Sequence, residues 1–260
     1  MAHIGRLVGA MGRGCLRATK ASIYFVLTMA TPARRAHYGA QYLLTTEGDT
    51  FERSLDGFAA TPAGARLVAE RPDIFVILQD RQALRDGPVG SVGRRYAAFM
   101  DERGFDETYY RGEAVAAAER EGRDTRHAWY RIRSGALHDL MHLVSGYDTD
   151  ALGEACLMSF RYAQTRHPGL LAFVALMLVE TLLFRGRVGV GAVREAYRRG
   201  RVAARLEWAA WEELLALPLP DLRAALGLSR PRVYVGGVAV DAYEGVRPAG
   251  SPLLMSAIAA

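Results

Sequence analysis

The residues with the greatest capacity for chemistry lie in HDLMHLVSGYDTDALGE, from His138 to Glu154. His138 and His142 are four residues apart, which on a helix sets them about 40° apart on one face. Asp139 falls about 60° beyond His142 on the same arc. Leu137, Leu140, Met141 and Val144 occupy the opposite arc, so a helix here can bury an apolar stripe and present His-Asp-His to a cleft. Gly146 then turns the chain, and Glu154 falls on the following helix. An antiparallel return would bring its carboxylate back to the imidazoles.

Two imidazoles and two carboxylates suit one divalent or redox-active first-row metal with open positions for water, oxygen or substrate. The arc differs from HExxH because the acid directly follows the first histidine and can itself be a ligand. The competing reading is a polar helix face turned to solvent. Asp148 and Asp150 read as helix caps, and Cys156, two residues past Glu154, as a packed thiol.

If the helix is continuous from Asp124, His127 and Arg131 share the face of His138 and His142. Arg131 would stand about 10 Å along the helix from the metal, where a guanidinium could hold a substrate carboxylate or phosphate. A solvated surface arginine looks the same in sequence, and a break at Ser134-Gly135 would rotate Arg131 away.

The elements needed to position these groups are helical. Pro62 opens a helix to Glu70 and Pro72 another to Gln79, each proline in the first turn. Asp86-Gly87-Pro88 is a loop. Ser91 caps VGRRYAAFMDER and Gly104 stops it. Asp124 caps a segment to Val144, and Asp148 or Thr149 caps the next, to about Thr165. Pro168 opens GLLAFVALMLVETLLF, which contains Glu180 and is too short to span a bilayer. Val193 to Leu215 continues helically, and Leu219 to Leu226 precedes Gly227. Val233 to Tyr243 is strand-like, with Gly236-Gly237 as a hairpin turn, and Pro248 to Ala260 is a loose tail. The expected fold class is all-α: one irregular helical domain with an HDxxH metal-binding helix and a minor strand-like C-terminal segment. Its divisions are a basic amphipathic segment (1–46), a helical metal-binding domain (47–234) and a tail (235–260).

Composition bounds the remaining choices. The chain has 260 residues, 50% of them hydrophobic and 23% charged, which excludes a disordered chain or a disulfide scaffold. Its two cysteines, Cys15 and Cys156, fit a reducing compartment. The net charge of +5 is unevenly spread. Arg6, Arg13, Arg17, Lys20, Arg34 and Arg35 precede the first acidic residue, Glu47, leaving 27 basic against 28 acidic residues in the remainder. A nucleic-acid-binding body would carry its own basic face, so no nucleic-acid partner is expected. On a helical wheel Ile4, Leu7, Val8, Met11 and Cys15 oppose Arg6, Arg13, Arg17 and Lys20, the pattern of an interfacial helix on an anionic membrane. The alternative is a frayed basic terminus or a targeting-like peptide, since Gly5, Gly9, Gly12 and Gly14 oppose helix formation. The run from Ala21 to Ala30 is too short to cross a bilayer.

His138-Asp139-x-x-His142, eleven residues, then Glu154 resembles the signature of the coenzyme Q (ubiquinone) biosynthesis protein 4 family. GSVGRRYAAFMDERG from Gly90, RPDIFVILQDRQAL from Arg71, and GYDTDALGEACLMSFRYAQTRHPG through Gln164-Thr165 are similar to segments of that family. So are Trp211-Glu212-Glu213-Leu214-Leu215 and the stretch from Leu222 to Pro231. The resemblance runs from about Arg66 to Tyr234 and marks a divergent bacterial member. Of the family's two arginines before the histidine, Arg133 matches the first, while Gly135 stands at the second. Ala136 and Leu137 replace its acid and β-branched positions.

The resemblance implies His138, Asp139, His142 and Glu154 as ligands of one divalent ion, with zinc, iron, manganese and cobalt all open. It implies a peripheral membrane protein of ubiquinone biosynthesis that oxidatively decarboxylates a polyprenylated hydroxybenzoate-type precursor, C1 carboxylate to hydroxyl. An arginine, Arg131 by stripe or Arg133 by family position, would orient the acid. Leu170, Phe173, Met177 and Phe184 would wall the lipid-tail groove. The implied partners are the polyprenylated precursor, the membrane surface and other quinone-biosynthesis proteins, with a homodimer left open. The implied location is the cytoplasmic side of a bacterial inner membrane. Two alternatives stand beside this reading. One is a non-enzymatic lipid-binding scaffold that organises quinone-biosynthesis enzymes. The other is an HD-type metal phosphohydrolase, which would have to recruit His127 and Asp148.

Overall fold

The computed structural model describes residues 16–28, 30–31, 35–106 and 125–234, with scattered positions between 112 and 119. For residues 35, 36, 180, 181 and 184–186 it describes the backbone alone. The expected interfacial pattern over Ile4 to Cys15, the Asp124 cap, the side chain of Phe184, and everything after Tyr234 lie outside the described residues.

The chain runs through α1 (16–28), α2 (Arg35–Thr46), α3 (Thr50–Ala59), α4 (Pro62–Glu70), α5 (Ile74–Gln79), α6 (Arg81–Asp86) and α7 (Val92–Arg103). Then come α8 (Thr125–Ser145), α9 (Ala151–Thr165), α10 (Pro168–Val202), a 3-10 turn (Leu206–Trp208), α11 (Trp211–Leu214) and α12 (Leu219–Ala225). Caps explain several boundaries. Thr61 accepts from the Gly64 amide at 2.9 Å and Pro62 opens α4. Ser91 accepts from the Arg94 amide at 3.2 Å, and Gly104 ends α7 at φ 62°.

Two starts differ from expectation. Asp73, not Pro72, caps α5, its carboxylate accepting from the Phe75 amide at 3.0 Å. Of the two aspartates read as caps, Asp150 caps α9, in place of Asp148 or Thr149, accepting from Leu152 and Gly153 amides at 2.9 and 3.2 Å. The unanticipated α6 starts the same way, with Asp80 accepting from Ala83 at 3.0 Å. In each case a carboxylate satisfies amides that the first helical turn leaves unpaired.

α8 runs unbroken through Ser134-Gly135. A mid-helix glycine costs about 1 kcal/mol. Burial of Tyr130, Leu137, Leu140, Met141 and Val144, at roughly 1.5–3 kcal/mol per large side chain, outweighs it. These residues pack in one core with Leu55, Phe58, Phe75, Tyr96, Phe160 and Trp211. The last carbonyls of α8 are held by two buried arginines. Arg223 donates to Leu143 and Val144 oxygens at 2.7 and 3.0 Å, and Arg199 donates to Ser145 oxygen at 2.9 Å. Cations at a helix C-terminus satisfy unpaired carbonyls and oppose the helix dipole.

The hydrophobic stretch from Pro168 does not stop near Phe184 but extends as one helix to Val202. It packs along α9 as the most extensive helix pair. The continuous helix expected from Val193 to Leu215 is therefore broken, by the 3-10 turn and α11. Among the described residues there is no strand, only an isolated antiparallel bridge between Ser91 and Pro218. Val233 and Tyr234, the described part of the expected strand-like segment, are irregular. Among the described residues no helix is long and apolar enough to cross a membrane.

Candidate metal centre

The α8–α9 connection sets the site. Gly146 takes φ 78°, reversing the chain just after His142. Gly153 lies so close beneath the returning loop that a Cβ there would meet the Asp148 carbonyl oxygen at 1.9 Å. Tyr234 donates to the Asp150 carboxylate and accepts from the Asp148 amide, clamping the loop from outside. Glu154 thus lies in the first turn of α9, opposite the histidines of α8.

His138, His142 and Glu154 each offer a ligand atom, and these atoms lie within 4.8 Å of one another. His142 Nε2 is 3.3 Å from His138 Nε2 and 3.2 Å from Glu154 Oε1. Bonds of about 2.0–2.1 Å to a tetrahedral ion place neighbouring ligand atoms about 3.3 Å apart, and an octahedral arrangement about 3.0 Å. The two separations at His142 are those of neighbouring donors around one cation. His142 Nδ1 donates to the Tyr147 carbonyl oxygen at 2.9 Å, so Nδ1 carries a proton and Nε2 is the nitrogen turned to the cluster. The three residues form a binding cluster for one divalent ion, whose identity the donor set leaves open.

The electrostatics prepare the donors. Burial drives the His138 pKa down to about 3, aided by His142 and Arg161 and opposed by Glu154. It is therefore neutral and can ligate. Burial alone would raise Glu154, but the charge and hydrogen bond of His142 bring it below the ordinary range. For His142, burial lowers the pKa, while Glu154 and the Tyr147 carbonyl more than offset this and raise it.

Asp139 stands outside the group of three. Asp139 is buried and acts on His142 by its charge. His127 and Asp148, which a phosphohydrolase would need, are paired elsewhere, with Glu52 at 2.8 Å and Arg103 at 2.7 Å.

His138 and Glu154 line a cavity of about 550 Å³. Leu170, Phe173 and Met177 of α10 line it as well, with Leu43 and Leu44 of α2 and Thr28 of α1, so helices before Glu47 contribute to it. Of the two arginines singled out by sequence, Arg131 lines the cavity and Arg133 does not. Arg133 is buried, donating to Glu212 at 2.8 and 3.1 Å and to Glu207 and Ala209 carbonyl oxygens at 2.9 and 2.7 Å. These bonds join α8 to the 206–212 turn.

Sequence reasoning missed Arg161 and Glu207, which line the cavity and pair at 2.8 Å. A signal existed for the first: Glu154, Met158, Arg161 and Thr165 follow helical spacing on one face of α9.

Helices α8 and α9 and the cluster between them define a helical metal-binding protein with a part-polar, part-apolar cavity. Comparison with known proteins goes further. The family model of the coenzyme Q (ubiquinone) biosynthesis protein Coq4 matches residues 16–232, and the chain belongs to that family. It is 30% identical over 183 residues to the mitochondrial ubiquinone biosynthesis protein coq4 of Aspergillus fumigatus, covering 69% of this chain and 61% of that protein. It is 29% identical over 203 residues to the corresponding protein of Podospora anserina, covering 76% and 64%. The match thus spans less than two thirds of these relatives. A crystal structure of a putative ubiquinone biosynthesis protein from Nostoc punctiforme shares the fold, with TM-score 0.60 and 19% identity, over 82% of this chain and 99% of that one.

Proposed function

We propose that this protein acts in ubiquinone biosynthesis at a membrane surface, replacing the C1 carboxylate of a polyprenylated hydroxybenzoate-type precursor by hydroxyl, with release of carbon dioxide and consumption of oxygen. The observation that carries this reading is one cavity lined both by His138 and Glu154 of the metal cluster and by an apolar wall of Leu170, Phe173 and Met177. A charged ring on a prenyl tail needs both environments: polar groups that fix the head, and apolar surface that takes the tail out of water. A bound ion would supply Lewis-acid or redox chemistry at the positions the three ligands leave open. Zinc fits the donors but has no redox role; iron, manganese or cobalt suits an oxygen-consuming reaction better.

The chain's own groups do the positioning. Tyr147 fixes the His142 tautomer through its carbonyl. The apolar wall seats the tail, so the ring carboxylate is directed to the polar end and bulk water is kept from it. Exposed apolar residues suit a protein that takes its substrate from a bilayer. They include Val179, Leu182 and Leu183 on α10 and Ile23 and Val26 on α1. These two helices meet where Phe25 packs on Phe173, 5.8 Å between ring centroids. Other quinone-biosynthesis proteins are the expected neighbours there.

Mass spectrometry of quinone precursors tests the reading. A strain lacking the gene should accumulate a prenylated intermediate that retains its ring carboxylate. The wild-type gene should clear it and His142→Ala should not. Full rescue by His142→Ala would favour a scaffold that needs no metal.

A further inference from the structure

Two arginines line the cavity, and they are committed to different degrees. Arg131 donates from Nη1 and Nη2 to the Glu47 carboxylate, at 3.1 and 2.7 Å, and its guanidinium lies over the Phe51 ring, 4.1 Å from the centroid. Both of its outer nitrogens are already engaged by an acid of the protein. The Arg161 side chain has a single hydrogen bond among the described residues, from Nη2 to Glu207 Oε1 at 2.8 Å. Its Nε is buried and has no hydrogen-bond partner among the described residues. Its charge acts on His138, Glu154 and His167, all of which line the cavity.

We infer that Arg161 is the specificity-determining residue of the cavity and reads the carboxylate of the substrate's head group beside the metal cluster. The inference rests on the decarboxylase reading above and assigns its acid recognition to a residue that neither the helix stripe nor the family position indicated. A guanidinium is planar and recognises a carboxylate through two parallel N–H donors. Glu207 holds the group by one nitrogen, which orients its plane without exhausting its donors. Glu207 is itself held by Ser54, which donates to its other oxygen at 3.3 Å.

The pairing of the cavity's charges agrees. Glu47 occupies both outer nitrogens of Arg131, whereas Glu207 takes one nitrogen of Arg161, so Arg161 is the guanidinium lining the cavity that retains donors for an acid. A neutral phenol of the same shape would leave those donors without an anion in a partly desolvated site.

The test measures binding to full-length, metal-loaded protein by tryptophan fluorescence; Trp208 donates to Ser54 on the cavity wall at 3.3 Å and serves as reporter. The probes are 3-geranyl-4-hydroxybenzoate and 2-geranylphenol, which differ by the carboxylate. Wild type should prefer the acid. Arg161→Gln should lose roughly thirtyfold or more in affinity for the acid and less than about twofold for the phenol, with metal content and circular dichroism unchanged. A role confined to packing would weaken both probes alike, and one confined to keeping His138 neutral would appear as lost metal.

An Arg161→Gln protein that keeps its fold, its metal and the wild-type preference for the acid overturns the inference. If that variant does not fold or loads no metal, Arg161→Lys decides: it retains the ion pair to Glu207 but not the planar donor pair, and should lose about fivefold or more of the preference. An unchanged preference in that variant overturns the inference equally. Wild type that binds both probes alike would remove the decarboxylase reading itself, and the inference with it.

Discussion

The Nδ1 atom of His142 donates to the carbonyl oxygen of Tyr147, 2.9 Å away and five residues along the chain. That bond couples the turn after α8 to the chemistry of the cluster, because it decides which imidazole nitrogen faces Glu154. A peptide carbonyl can only accept, so the ligating lone pair is set by the backbone. Altering an orienting partner of this kind costs about 10–100-fold in metal affinity, and removing a ligand should cost at least as much. His142→Ala and Glu154→Gln should each purify with far less than one equivalent of metal, while keeping helical circular dichroism. Stoichiometric metal in His142→Ala, by elemental analysis, would contradict the assignment.

Arg133 and Glu212 form a buried ion pair, with side-chain exposures of 0% and 5%. Removing one partner of such a pair leaves an uncompensated charge in the core and costs about 3–5 kcal/mol. Arg133→Ala should lower the stability to urea by that order, and the loss should also appear in the metal-free protein. Arg131→Gln, nearer the cavity surface, should cost less.

His167 caps α10 by accepting the Gly169 amide on Nδ1 at 3.0 Å. Burial, with the Arg161 charge, holds its pKa down to about 4. Its ordinary value is about 6.5, so between these limits the unfolded chain binds the proton and the folded one does not. Stability from this group is complete above about 6.5 and falls as the pH drops toward 4. His167→Asn can still cap the helix but does not titrate. Urea midpoints measured across that window should fall less steeply in the variant than in the wild type; parallel curves would refute the assignment.

Membrane attachment should depend on the acid-free N-terminal segment. Deleting Met1 to Lys20 removes Arg6, Arg13, Arg17 and Lys20, and each basic residue near an anionic leaflet is worth about 1 kcal/mol. Sedimentation with anionic liposomes should weaken and lose much of its salt dependence. Unchanged binding would shift the contact to the exposed apolar face of α10, where Leu182→Ser with Leu183→Ser should then reduce it.

The metal site was largely legible before any coordinates, because its information is local. Two histidines four residues apart must share a helix face, and Gly146 followed by an acid on the next helix is enough to suggest a hairpin that closes on them. Apolar spacing likewise made Leu170, Phe173 and Met177 candidates for one wall. What could not be read locally was partner choice. Arg131, Arg133 and Arg161 are alike as letters, yet among the described residues Arg131 meets Glu47, Arg133 meets Glu212, and the Arg161 guanidinium hydrogen-bonds Glu207 alone. Those acids lie 84, 79 and 46 residues away, so which guanidinium retains donors for a ligand depends on how distant helices pack. The same holds for Asp139, which the motif offers as a further ligand and which is buried with its charge acting on His142, yet lies outside the group of three. Helical periodicity determined which residues share a face; only the packing of α8, α9, α10 and the 206–212 turn decided which of their charges were already neutralised, because ion pairing is settled by distance in space and leaves no periodic trace along the chain.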